Sequence, residues 1–198
     1  MAVSESFIPS VDEIQPGHRA VIGGSFDPPT IGHLAVYEMG SSFFSELRVV
    51  VAYNPSKKDF LFTPDERVRM ISGLAVAEGL RNVSVDALPP GQLLAEYARE
   101  EGFSTLLRGV RNGIDLDEET WQARENWRIG KRMPTVFMPP INPAHTDIAS
   151  SKAKAFLGLP NWEDHVADKL PKAVISEIRA LNARKAAEAA LKQETAES

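Results

Sequence analysis

Short runs of β-branched and aliphatic residues alternate along the chain with longer stretches whose apolar positions recur every three or four residues. Ala20-Val21-Ile22, Leu47 to Ala52, Val83-Ser84-Val85, Ser104 to Leu107 and Thr135 to Met138 read as strands. Between them, a helix from about Thr30 carries Leu34 and Tyr37 on one face, and a second buries Val68, Ile71, Leu74 and Ala75. The start of the second is fully signalled, with Thr63 as N-cap, Pro64 in the first turn and Glu66 as the capping-box acid. Gln92 to Glu101, closed by Gly102, and a long stretch from about Asp115 to Ile129 predict two more helices. Five strands separated by helices predict a doubly wound α/β fold, a five-stranded parallel sheet with right-handed crossovers.

The chain of 198 residues fits one domain with appendages. Residues 1–18 mix Ser, Pro and acids without periodicity and read as a flexible leader; 19–157 form the domain. After Pro140 come a polar loop, a helix from Ser150 to Phe156 and a stop at Gly158-Leu159-Pro160. Residues 158–198 form a C-terminal helical extension, in which Val174, Ile178 and Leu181 stand at helical spacing, to dock on the body or on a neighbouring subunit.

Cysteine is absent, which excludes disulfides, thiolate metal sites and cysteine nucleophiles. The formal net charge of -5 argues against a whole-surface hold on nucleic acid, so an anion would be bound locally. No apolar run reaches the roughly 20 residues a membrane span needs, and the first residues lack a basic start and apolar core. A cytoplasmic protein is the expectation.

In an open parallel sheet, ligands bind beyond the carboxyl ends of the strands where the strand order reverses, so polar motifs should follow strands. After the first strand comes Gly23-Gly24-Ser25-Phe26-Asp27-Pro28-Pro29-Thr30-Ile31-Gly32-His33. The glycines admit a ligand close to the backbone, and the following helix turns unpaired N–H groups toward the same crevice. His33, in the first turn, is discouraged by the helix dipole from carrying a positive charge yet can donate to a phosphate oxygen. Asp27 reads as a turn-stabilising acid rather than a metal ligand, and Lys152 and Lys154 as a solvated helix face.

That string resembles the first signature of the nucleotidyltransferase superfamily, with its T/H-x-G-H element, and its nearest likeness is to bacterial phosphopantetheine adenylyltransferases. Three further stretches are similar to that family's motifs: Asn54-Pro55-Ser56-Lys57-Lys58 with Phe62 to Arg67, Leu107-Arg108-Gly109-Val110-Arg111 running on through Asp115, Glu119 and Asn126, and Ile148-Ala149-Ser150-Ser151. The resemblance covers about Ala20 to Phe156 and implies a Rossmann-like nucleotidyltransferase fold. It also implies adenylyl transfer from ATP to 4′-phosphopantetheine, giving dephospho-coenzyme A and pyrophosphate.

On this resemblance His33, Lys57 and Arg108 are the catalytic residues. Ser25, Phe26, His33, Gly109, Arg111, Glu119, Ser150 and Ser151 would bind the nucleotide, and Ser25, Lys57, Leu93, Leu94 and Arg108 the acceptor. Mg²⁺ is expected to arrive with ATP, with no dedicated metal ligands. The family further implies a homo-oligomer, a hexamer, and feedback by coenzyme A. Trp121, Trp127 and Tyr97 suit core packing or a subunit contact better than adenine stacking; His145 could line the acceptor pocket, and His18 and His165 read as surface residues.

The sequence departs from the family pattern at Ala149, where the signature has serine, at Ser25 for the usual threonine, at Glu118 for an aromatic, and in a longer loop from Pro139 to Asp147. Two other readings therefore stand beside the first: a nicotinate or nicotinamide mononucleotide adenylyltransferase, and a nucleotide-binding module without turnover. The former family has I-S-S-T-x-I-R where this chain has Ile148 to Lys154 without the arginine.

Overall fold

The computed structural model describes residues 18–53, 59–111, 113–139, 142 and 148–196, with backbone alone at 113–115, 118 and 193–196. Residues 1–17 of the leader, Lys57 and His145 lie outside the described residues. In chain order the elements are β1 (Arg19–Gly24), α1 (Ile31–Phe43), β2 (Glu46–Val51), α2 (Pro64–Ala77), β3 (Val83–Ala87) and α3 (Leu94–Glu100). There follow β4 (Thr105–Gly109), α4 (Gly113–Ile129), β5 (Thr135–Met138), α5 (Ser150–Lys154), α6 (Trp162–Val166) and α7 (Lys172–Ala196). All strand pairs are parallel, as the alternation predicts, and the strand order is β3-β2-β1-β4-β5.

Successive side chains on a strand point to opposite faces, so each strand feeds two cores. Ala20, Ile22, Leu47, Val49 and Leu107 meet residues of α1, α2 and α7 on one face. Val21, Val50 and Leu106 meet Ala95, Ala98, Phe103 and Met133 on the other. Gly40 brings α1 close to the sheet: a Cβ there would stand 2.8 Å from a Leu107 methyl and 3.0 Å from a Leu47 methyl.

The capping signals for α2 hold in full, since Thr63 Oγ1 accepts from the Glu66 amide and the Glu66 carboxylate accepts from the Thr63 amide. The C-terminal extension docks on the body rather than standing apart. Val174, Ile178 and Leu181 of α7 enter the same core as β1 and α2, and Lys185 Nζ pairs with Glu66 at 3.2 Å. From Asn182 to Lys192 α7 is exposed apart from such surface pairs. The short helix α6, which no periodicity announced, carries Val166 into this core, followed by Leu170.

The three aromatics divide between the two uses expected of them, core packing and an outward face. Tyr97 is buried, its hydroxyl donating to Asp86 at 2.7 Å, whereas Trp121 and Trp127 on α4 are 64% and 49% exposed and join neither core cluster among the described residues. No helix among the described residues is long and apolar enough to cross a membrane.

Candidate active site

The strand order reverses between β1 and β4, because the chain moves from β1 outward through β2 and β3 and then returns to build β4 and β5 on the other side. The loops leaving β1 and β4 diverge there, and a cavity of about 430 Å³ opens beyond their carboxyl ends. That volume lies within the roughly 300–1,000 Å³ range of small-molecule sites. Its walls bring together all eight residues that the motifs singled out for the nucleotide, Ser25, Phe26, His33, Gly109, Arg111, Glu119, Ser150 and Ser151, with Arg108.

The turn after β1 is built before any ligand arrives. Phe26 adopts a positive φ of 45°, a region that non-glycine residues enter only under the compulsion of their surroundings. Here its ring is buried and packs edge-on against His33 and Tyr37, at centroid distances of 5.0 and 5.8 Å. Arg67 of α2, 3% exposed, donates to the Ser25 carbonyl at 2.7 Å and lies over the Phe60 ring. Burial holds the Arg67 guanidinium below the usual arginine range, with Asp27 and Glu66 acting the other way. The sequence motifs assigned Arg67 no role; its place directly after a capping-box acid was the available signal.

His33 is the third residue of α1 and closes a capping box with Thr30, the N-cap. The Thr30 backbone N–H donates to His33 Nδ1 at 2.9 Å, and the Thr30 hydroxyl stands 3.0 Å from the same nitrogen. A backbone amide can only donate, so this hydrogen-bond pattern assigns Nδ1 as the acceptor and Nε2 as the proton-bearing nitrogen. The imidazole is thereby set as a neutral donor in a cavity wall, at the positive end of a helix dipole. The first amide of α1, that of Ile31, is satisfied from the far end of the chain by the Lys169 carbonyl at 3.0 Å.

Arg108, near the end of β4, is anchored on all three nitrogens: Nε to Glu119 at 2.5 Å, Nη1 to the Gly23 carbonyl at 2.9 Å, and Nη2 to Gln122. Its positive charge lines the cavity, while its fork ties β1 and β4 to α4. Arg111, at the rim, is exposed. Gly109 is required by packing, since a Cβ would lie 2.9 Å from a Val36 methyl.

The opposite wall is the start of α5. Ala149, not serine, occupies the N-cap, so no side chain caps this helix, and Ser150 and Ser151 are its first two residues. Ser150 Oγ donates to the Pro28 carbonyl at 2.8 Å. Lys154 is no solvated side chain: its ammonium pairs with Asp27 at 2.8 Å and donates to the Asp59 carbonyl. Asp27 is structural, as expected, accepting also from the amides of Leu61 and Phe62 at 3.0 Å each.

Leu93 and Leu94, expected at the acceptor, lie outside the lining of this cavity. Leu94 closes on Gly23, where a Cβ would meet a leucine methyl, and Leu93 is half exposed at the start of α3. For a metal, the donor set is poor. Among the described residues no three His, Asp or Glu converge, Glu119 is committed to Arg108, and the Asp27 oxygens to two amides and Lys154.

Residues 21–155 match the cytidylyltransferase-like family model. A phosphopantetheine adenylyltransferase of Heliobacterium modesticaldum is 38% identical over 157 residues, covering 79% of this chain and 88% of the relative. One from Neisseria meningitidis is 34% identical, covering 82% of this chain and 92% of that one. Among solved structures, a Plasmodium falciparum nicotinic acid mononucleotide adenylyltransferase complexed with NaAD superposes with a TM-score of 0.61 at 17% identity. That match covers 84% of this chain and 96% of that one, a likeness of fold. With the family motifs gathered around one cavity at the switch point and relatives matching along most of their length, the chain belongs to the cytidylyltransferase-like family and, within it, to the phosphopantetheine adenylyltransferases.

Proposed function

We infer that the protein transfers the adenylyl group of ATP to 4′-phosphopantetheine, yielding dephospho-coenzyme A and pyrophosphate. The observation that carries this reading is the preset His33 imidazole in a cavity that also holds Arg108, Arg111 and the start of α5. The acceptor's ionised phosphate is itself the nucleophile. Its oxygen bonds to the α-phosphorus as the bond to the β-phosphate oxygen breaks, and pyrophosphate leaves with that electron pair. No protein base or covalent intermediate is needed, so catalysis consists of positioning and charge stabilisation.

His33 Nε2–H donates to the α-phosphate oxygen on which charge accumulates. Lys57, two residues before Asp59 in sequence, supplies a compact cation between the two phosphates. Arg111 reaches the nucleotide's phosphates from the rim, and the Ser150 and Ser151 amides receive the β- and γ-phosphates. Arg108 adds charge to the wall without leaving its three partners. Mg²⁺ would come with ATP and neutralise charge on its phosphates rather than be held by the protein, which suits a cavity where Glu119, the carboxylate among the described lining residues, is engaged by Arg108. The exposed Leu116, Trp121 and Trp127 of α4 support a homo-oligomer assembled through that helix, for which a hexamer is the family's form. Coenzyme A, sharing the acceptor's chemistry, would compete for the same cavity.

The deciding experiment supplies ATP and Mg²⁺ with 4′-phosphopantetheine, with nicotinate mononucleotide, or with no acceptor, and measures pyrophosphate. Release with 4′-phosphopantetheine alone supports the reading. Release only with nicotinate mononucleotide overturns it, as does ATP binding without release on any acceptor.

A further inference from the structure

Asp27 and Lys154 meet behind the phosphate cradle, at the junction of three chain segments. Asp27 is 3% exposed and belongs to the turn after β1; Lys154 ends α5; Asp59, Leu61 and Phe62 belong to the stretch that leads into α2. One Asp27 oxygen takes the Lys154 ammonium at 2.8 Å and the Leu61 amide at 3.0 Å, the other the Phe62 amide at 3.0 Å. The same ammonium donates to the Asp59 carbonyl.

The helix α5 is therefore fastened to the turn at two points. Ser150 Oγ donates to the Pro28 carbonyl at its first residue, and Lys154 reaches Asp27 one turn later. A single attachment would leave α5 free to pivot; two attachments four residues apart on the helix and one apart on the turn fix both its separation and its roll. Only Asp27 of this pair is buried, Lys154 being partly exposed, and such an ion pair gives little stability over an apolar pair of similar volume, so stability alone is a weak reason for it. Its geometric effect falls on the cradle, because the two parts it joins are the two walls.

We propose that Asp27 and Lys154 form a positioning pair that sets the spacing between the Ser25–His33 wall and the Ser150–Ser151 wall of the nucleotide site. Neither residue touches the nucleotide; each acts through the groups it holds. This inference rests on the adenylyl-transfer reading for its kinetic consequence, but not for its effect on ATP binding. A misplacement of about 1 Å in such a site typically costs on the order of 10²-fold in rate.

The test uses the full chain with Asp27→Asn, Lys154→Met, Lys154→Arg and the double variant D27N/K154M. It measures melting temperature, ATP affinity by calorimetry, and turnover with ATP, Mg²⁺ and 4′-phosphopantetheine. Each single loss lowers ATP affinity and turnover by roughly 10²-fold, and the double variant is no worse than the weaker single one, because the two residues act as a unit. Lys154→Arg restores most of both. The double variant has no unpaired buried charge, so it recovers the melting temperature lost by Lys154→Met while its ATP affinity and turnover stay low.

The proposal is overturned if the double variant, folded with a native melting temperature, binds ATP and turns over like wild type. It is equally overturned if Lys154→Met fails while Asp27→Asn behaves as wild type, since the lysine would then serve the ligand directly. A wild-type protein that releases no pyrophosphate, with variants that still lose ATP affinity, removes the adenylyl-transfer reading and leaves the pair standing.

Discussion

His33 has two duties in one ring, and two substitutions separate them. Its Nδ1 accepts the Thr30 amide at 2.9 Å, which caps α1, while the proton on Nε2 is the donor assigned to the α-phosphate. His33→Ala removes both. Losing the capping interaction costs about 1 kcal/mol, which for a chain of this size lowers the melting temperature by roughly 2–4 °C. Losing one preorganised oxyanion donor costs on the order of 10²–10³ in turnover.

His33→Gln is the informative partner. Glutamine at this helix position is a natural capping-box acceptor, so its carbonyl can keep the Thr30 bond. Its amide nitrogen shares a carbon with that carbonyl and cannot stand across a ring from it, as Nε2 does from Nδ1. We therefore expect His33→Gln to keep the wild-type melting temperature and to lose the same on the order of 10²–10³ in turnover as His33→Ala. Pyrophosphate release at saturating ATP and acceptor, beside a thermal melt, reads both quantities. Near wild-type turnover in a stable His33→Gln protein would refute the assignment of Nε2 as the catalytic donor.

Further expectations follow from packing and charge. A methyl at Gly40 would stand 2.8 Å from Leu107, whereas Gly73 of α2 has nothing within 4 Å. Gly40→Ala should lower the melting temperature through overpacking of about 1–3 kcal/mol, while Gly73→Ala should raise it by helix propensity worth about 1 kcal/mol. Ending the chain before Pro171 removes Val174, Ile178 and Leu181, each almost fully buried, and at about 1.5–3 kcal/mol apiece this should unfold the domain. Ending it after Lys185 should leave melting nearly unchanged. Glu46 is held below the ordinary carboxylate range by its hydrogen bond to Arg19, opposed by burial and reinforced by Arg48. A depressed folded pKa stabilises above the unfolded value and is lost as pH falls through the folded one. Melting temperature should thus decline as the pH drops below about 4.3, and Glu46→Gln should flatten that decline.

What the sequence made legible was local. Strand runs, the Thr63–Glu66 capping box and the motifs after β1 and β4 are contiguous signals, and each appears where its residues place it. What stayed hidden is made by residues far apart in sequence. Lys154 looks like any lysine on a helix until Asp27, 127 positions earlier, is seen beneath it. Arg67 closes a motif stretch with no role of its own in sequence, and only the fold shows it donating to the Ser25 carbonyl, 42 positions earlier. For Trp121 and Trp127 the sequence left core packing and a subunit contact open, because helical spacing alone does not say which face of α4 meets the sheet; both are exposed, while Ile129 of the same helix packs against the core. The short α6 has too few turns to show a period at all.

The central claim is a single direct displacement at the α-phosphorus, with both phosphates held in one cradle and no adenylylated enzyme between them. The stereochemical course tests it most directly: ATP of known configuration at an α-phosphorus made chiral by one sulfur in place of a non-bridging oxygen is converted with 4′-phosphopantetheine, and the configuration of the thio-substituted product is determined. One in-line step predicts inversion; retention would mean two displacements through a covalent intermediate and would contradict the account.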